Sequence, residues 1–145
     1  MAKRKRATCI VELLNEQGEP CVLIAKQKGD NYDMVPGGRV DRGEPPIVAA
    51  IRELREESTL KTSAVVKLFD HESQHTHHSV FLILTEGSDY QPRDDVEQLW
   101  LLPLAECHRL DEYPQLSRST KVILSQYIQW RGDKISAVSL AALHS

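Results

Sequence analysis

Glu53, Glu56 and Glu57 stand at i, i+3 and i+4, a spacing that on a helix projects all three carboxylates from one side. Like charges so placed repel by roughly 0.2–0.5 kcal/mol per pair. Placed in the last turns of a helix they also meet the wrong end of its dipole. A hard divalent cation with oxygen ligands would compensate for both effects. Mg2+ takes a few carboxylates and keeps waters or substrate phosphates on its other positions. The plain alternative is a solvated face, since Arg52 and Glu56 form an i, i+4 pair and Arg55 adds a second cation. A bare E-x-x-E-E does not separate the two readings.

The residues around the cluster say what must hold it. Pro45 and Pro46 suit the first turn of a helix, where a missing N–H costs nothing. Ile47, Ala50, Ile51 and Leu54 then recur at helical spacing and predict a buried face. Upstream, Pro36, Gly37 and Gly38 form a turn whose backbone can approach a ligand without a Cβ in the way. Between turn and helix stands an isolated carboxylate, Glu44.

Strand signals lie on both sides of this unit. Residues 7–14 (ATCIVELL) and 21–25 (CVLIA) flank a Gly-Pro turn and predict an N-terminal hairpin, with Lys26 and Lys28 just beyond it. Residues 63–69 (SAVVKLF), 79–84 (SVFLIL) and 96–102 (VEQLWLL) predict three further strands. Residues 114–130 carry the stripe Leu116, Ile123, Tyr127 and Trp130, widened by Leu124 and Ile128, and predict a second helix. Arg131-Gly132-Asp133 reads as its stop, and residues 136–144 as a short final helix.

Composition bounds the rest. A chain of 145 residues suits one domain with a single sizeable core. The formal net charge of −3 gives no general attraction to DNA, RNA or membranes. Cys9, Cys21 and Cys107 are odd in number and lack metal spacing, which reads as reduced thiols in a cytoplasmic protein. No apolar run reaches membrane-spanning length. Lys3, Arg4, Lys5 and Arg6 form the only dense charge run, expected to be a solvated, flexible arm of residues 1–6 ahead of the domain. His71, His75, His77 and His78 invite zinc, but no cysteine stands near them. An edge-of-pocket role for His78 fits better.

Taken together, residues 38–60 (GRVDRGEPPIVAAIRELREESTL) resemble the signature of the Nudix hydrolases. Gly38, Glu44, Arg52, Glu53, Leu54, Glu56, Glu57 and Leu60 stand at the family spacing. The approach Tyr32 to Gly38 is similar to the family's as well. One glycine of the signature is replaced by Thr59, which must end the helix differently or bear strain of roughly 1–2 kcal/mol.

The resemblance implies an α/β/α sandwich with a mixed sheet and hydrolysis of a phosphoanhydride in a nucleoside diphosphate derivative. It implies Mg2+ as cofactor, with Mn2+ as a substitute, held by Glu53, Glu56, Glu57 and the Gly37 carbonyl, with Glu44 binding a further ion or bracing the loop. Arg52 would orient the glutamates. A late carboxylate, Glu97 with Asp94 and Asp95 as alternates, would join the catalytic set. Lys26, Lys28, Tyr32, Asp33 and His78 are the candidate substrate contacts. Markers of several substrate subgroups are missing, so elimination favours a nucleoside triphosphate, canonical or oxidised, as in MutT-like proteins. A 5′-end RNA pyrophosphohydrolase using the basic arm and a non-catalytic nucleotide sensor remain the alternatives. The oligomer is expected to be a monomer or homodimer.

Overall fold

The computed structural model describes residues 2–134. The strands are β1 (Arg4–Leu14), β2 (Pro20–Gln27), β3 (Gly37–Arg39), β4 (Thr62–Glu72), β5 (Thr76–Thr85) and β6 (Val96–Pro103). Two helices accompany them, α1 (Pro46–Ser58) and α2 (Arg118–Lys134), with two 3₁₀ turns between β6 and α2. The strands form one mixed sheet in the order β4-β5-β1-β2-β6, with β3 also paired to β1.

Alternation along the strands builds a core on each face. Cys9, Val11, Leu23, Phe81 and Ile83 point to α1, which contributes Ala49, Ala50 and Leu54. Ile10, Val22, Ile24, Val80 and Leu82 point to α2, which contributes Ile123, Leu124 and Tyr127. The arrangement is the expected α/β/α sandwich. No helix among the described residues is long and apolar enough to cross a membrane.

The central strand β1 holds the key to the site. One edge runs parallel to β5 from Arg4 to Val11. Its other edge is divided: residues 12–14 pair with β2, and residues 6–8 pair with β3. β1 therefore changes partner between Cys9, whose N–H still bonds the Pro36 carbonyl, and Glu12, where the β2 pairing begins.

Several expectations need correction. Arg4, Lys5 and Arg6 are not a free arm; they begin β1, opposite Thr76, His77 and His78. The ladder fixes their backbone while the side chains of Arg4 and Lys5 stay exposed and Arg6 is partly buried. Deleting these residues would thus remove sheet, not a tether. The buried stripe of α1 is Ala49, Ala50, Leu54, Glu57 and Ser58, while Ile47 is exposed. The small alanines let the helix settle close to β1, where Cys9 Sγ reaches the Ala50 carbonyl at 3.4 Å. α2 starts at Arg118, because Leu116 is held by a bridge to Asp33. It runs on through Gly132, and Arg131 is anchored to Glu12. Residues 136–144 lie outside the described residues.

Candidate active site

The stripe 50–54–57 carries a carboxylate into the core of α1. Glu57 is only 5% exposed. Its Oε1 accepts the Gly37 N–H at 2.9 Å and its Oε2 accepts Gln27 Nε2 at 2.8 Å. Both donors are neutral, so burial dominates and pushes the Glu57 carboxyl up to about 7, with Glu53 adding to the rise and Arg6 opposing it. Burial also raises Glu53, against the pull of Arg52.

Arg52 lies at the centre of the exposed carboxylates. Its Nε and Nη2 grip Glu44 in a two-bond fork, each at 2.9 Å. Nη1 reaches Glu53 at 2.9 Å and Glu56 at 3.3 Å, and Nη2 also bonds the Arg39 carbonyl. The fork holds Glu44 down at about 2. Glu44 thus braces Arg52, and Arg52 in turn orients Glu53 and Glu56.

The backbone of β3 faces this group. Cys9 N–H bonds the Pro36 carbonyl and Val40 N–H bonds the Lys5 carbonyl, so residues 36, 38 and 40 pair with β1 while 37 and 39 face away from it. The N–H of Gly37 goes to Glu57, and its carbonyl points out of the same ladder edge. Gly38 admits Glu53 because it lacks a side chain: a Cβ there would lie 2.3 Å from the Glu53 carboxyl carbon.

α1 ends on Thr59 with φ 66°, a left-handed cap whose N–H returns to the Arg55 carbonyl. The loop before β6 covers the other free carbonyls, with Arg93 N–H on Glu57 and Gln91 N–H on Ser58. Asp94, itself at φ 55°, lines a shallow depression together with Arg52, Arg55, Glu56 and Arg93. Glu97 is exposed and pairs with Lys26 at 3.8 Å. Of the late carboxylates, Asp94 is the one brought beside the cluster.

On the α2 side of the sheet lies a cavity of about 720 Å³, lined among others by Arg4, Arg6, Arg39, Asp30, Thr120 and His78. His78 is buried, and burial together with the Arg6 charge depresses it to about 4. Lys26 and Lys28 do not line this cavity; Gln27 between them does. Tyr32 is 53% exposed, and Asp33 accepts the Trp100 indole N–H at 3.0 Å, a packing role. Arg6 and Gln27 were not singled out by sequence reading. Strand alternation alone marks Arg6 as the partner of Thr8 on one face; only the register sets it beside His78.

The donor set suits a hard cation. Glu57 is a buried acid met by neutral donors alone, with Glu53 and Glu56 on the same helix and Gly37 beside it. Among the described residues no three His, Cys, Asp or Glu side chains are already drawn together as a closed ligand set. Glu53 and Glu56 are turned to Arg52 instead.

Comparison with known proteins agrees with this geometry. The model of the NUDIX domain matches residues 3–122. An ADP-ribose pyrophosphatase of Methanocaldococcus jannaschii is 25% identical over 119 residues, spanning 76% of this chain and 67% of that protein. A candidate nudix hydrolase of Chromobacterium violaceum superposes with a TM-score of 0.77 at 29% identity, covering 98% of this chain and 88% of the other. The NUDIX domain of Shewanella oneidensis NrtR, solved with ADP ribose, shares the fold at a TM-score of 0.72 and 16% identity, over 94% and 90% of the two chains.

Proposed function

The chain belongs to the NUDIX family of pyrophosphohydrolases, and on that premise we propose that it hydrolyses the phosphoanhydride of a nucleoside diphosphate derivative with Mg2+. The observation that carries this reading is Glu57, a buried carboxylate with neutral donors only, on the same helix as Glu53 and Glu56 and bonded to Gln27, which also lines the cation-rimmed cavity. Glu53, Glu56, Glu57 and the Gly37 carbonyl would hold the ion. Once bound, Mg2+ neutralises phosphate oxygens and acidifies water. Arg52 keeps Glu53 and Glu56 in place, and Glu44 keeps Arg52 in place. Asp94 is the better candidate for the late carboxylate, because Glu97 is engaged with Lys26. The cationic rim of the cavity draws in an anionic substrate.

Two derivatives lead. Similarity to an ADP-ribose pyrophosphatase over 119 residues favours ADP-ribose. The missing subgroup markers favour a nucleoside triphosphate, a weaker argument because it rests on elimination. A cavity of about 720 Å³ is within the usual range for ligands of either size. A single domain and a cytoplasmic setting remain part of the proposal.

The test is phosphate and nucleotide release from a panel of nucleoside triphosphates, ADP-ribose and dinucleotides, with and without Mg2+. Glu56→Gln should lower turnover by about 10²-fold or more while leaving the circular dichroism spectrum unchanged. Full activity in that variant would overturn the assigned roles.

A further inference from the structure

We propose that Arg6, positioned by Thr8 and His78, grips a phosphate of the substrate on the α2 side of the sheet. The proposal deepens the hydrolase reading and rests on it for the identity of the ligand.

Arg6 and Thr8 share one face of β1, and the parallel register sets Arg6 opposite His78. Arg6 donates from Nε to Thr8 Oγ1 at 3.3 Å and from Nη2 to the Val35 carbonyl at 2.8 Å. Thr8 Oγ1 and His78 Nδ1 are 2.9 Å apart. Each group has a countable set of protons. The Thr8 oxygen accepts from Arg6, so its own proton needs an acceptor, and among the described residues His78 Nδ1 is the one within reach. The ring proton of neutral His78 then sits on Nε2. Burial keeps the ring neutral at ordinary pH.

The row therefore offers donors only: the remaining N–H groups of Arg6 and the Nε2–H of His78. Among the described residues no carboxylate forms an ion pair with Arg6, although it is half-buried. A half-buried guanidinium with no carboxylate in contact, and only the longer-range charges of Glu57, Glu53 and Asp30 to offset its burial, is an expensive strut, and a neutral side chain could tie β1 to one carbonyl equally well. A phosphate supplies both the missing charge and several acceptor oxygens, in the geometry a guanidinium fork prefers. A base carbonyl would satisfy the donors and leave the charge unmatched.

The position fits a diphosphate. Arg6 Nη2 lies 3.0 Å from where a Cβ on Gly37 would stand, and the N–H of Gly37 is bonded to Glu57. Arg6 and Glu57 thus both reach the same residue, Gly37. One phosphate over the carboxylates leaves its neighbour beside Arg6.

The experiment is calorimetric titration of ADP, and of adenosine as the phosphate-free control, into the metal-free protein and its variants. Arg6→Gln should weaken ADP by about tenfold or more, equivalent to ~1.4 kcal/mol, and leave adenosine unchanged. Arg6→Lys should lose part of that affinity. Thr8→Val should lose less, and nitrogen NMR should find the proton of His78 on Nε2 in the parent protein. Unchanged ADP affinity in folded Arg6→Gln, or a His78 proton on Nδ1, overturns the proposal. If Arg6→Gln fails to fold, equal ADP affinity in Arg6→Lys and Thr8→Val does so. ADP binding needs no turnover, so the two readings fail separately. A silent substrate panel with Arg6-dependent ADP binding removes the hydrolase reading alone. Turnover whose KM ignores Arg6→Gln removes the phosphate grip alone.

Discussion

Two glutamates are buried between the sheet and its helices, and they are treated in opposite ways. Glu12, on the α2 face, is 3% exposed. It accepts the Tyr127 hydroxyl and a two-bond fork from Arg131, at 2.9 and 3.3 Å. Glu57, on the α1 face, is 5% exposed and receives only an amide and a glycine N–H. The first has its counterion built into the fold. The second has only the more distant Arg6, and burial raises its carboxyl to about 7. A buried carboxylate matched by the protein fastens a helix, whereas one left short of positive charge is, under the proposed function, the one that would take a cation.

The widest separation between the two should come from amide replacements. Glu57→Gln is expected to lower turnover by about 10²-fold or more, yet to melt no earlier than the parent. Glu12→Gln should destabilise by about 3 kcal/mol, because Arg131 loses its partner, while the folded fraction keeps its kcat. Thermal melts and kinetics on both variants check this, and equal destabilisation would break the comparison.

The pH dependence sharpens it. The carboxyl of Glu57 is raised from 4.5 to about 7, so the native state holds a proton that the unfolded chain releases. Its contribution to stability is present below pH 4.5 and is lost as pH rises to 7, by at most about 3 kcal/mol. His78, lowered from 6.5 to about 4, acts in the opposite sense: its cost is felt at low pH and disappears as pH rises to 6.5. The two nearly cancel in the parent protein. Denaturant titrations should therefore find Glu57→Gln gaining on the parent across pH 4.5–7, with the gain shrinking when Mg2+ is added. Parallel curves would refute the burial argument.

The smallest effect concerns the end of α1. Thr59→Gly should raise stability by about 1 kcal/mol, since a β-branched residue sits at φ 66° where glycine is at ease. Turnover should not change, as no carboxylate depends on that side chain.

What could be read from sequence was what is local. Glu53, Glu56 and Glu57 are fixed by helical spacing within one segment, as are Arg52 and the left-handed demand on Thr59. The strands and helices followed from runs of alternating or periodic apolar residues, and their sandwich arrangement from the family resemblance of residues 38–60. The three residues of β3 are too few to show a period, and appeared only as a Pro-Gly-Gly turn. Arg6 and Gln27 required the ladder register, because each meets its partner across a long stretch of chain. The basic start of β1 was misread since solvated charges suggest a free arm, whereas Arg4 and Lys5 keep their side chains exposed on a backbone paired with β5. Tyr32 and the two lysines were drawn by residue type, which says nothing about where a loop points.

The parallel ladder of β1 and β5 bears on how the molecule is assembled in time. It joins residues 4–11 to residues 76–83, so its closure must wait for a long loop of chain to find its ends. α1, by contrast, closes bonds between neighbours, and such local structure forms fast while non-local pairing is slow. The helix bearing the acids can thus form well before the strand that delivers Arg6 and the turn that delivers Gly37. The site is complete only once the slowest contacts of the fold have been made.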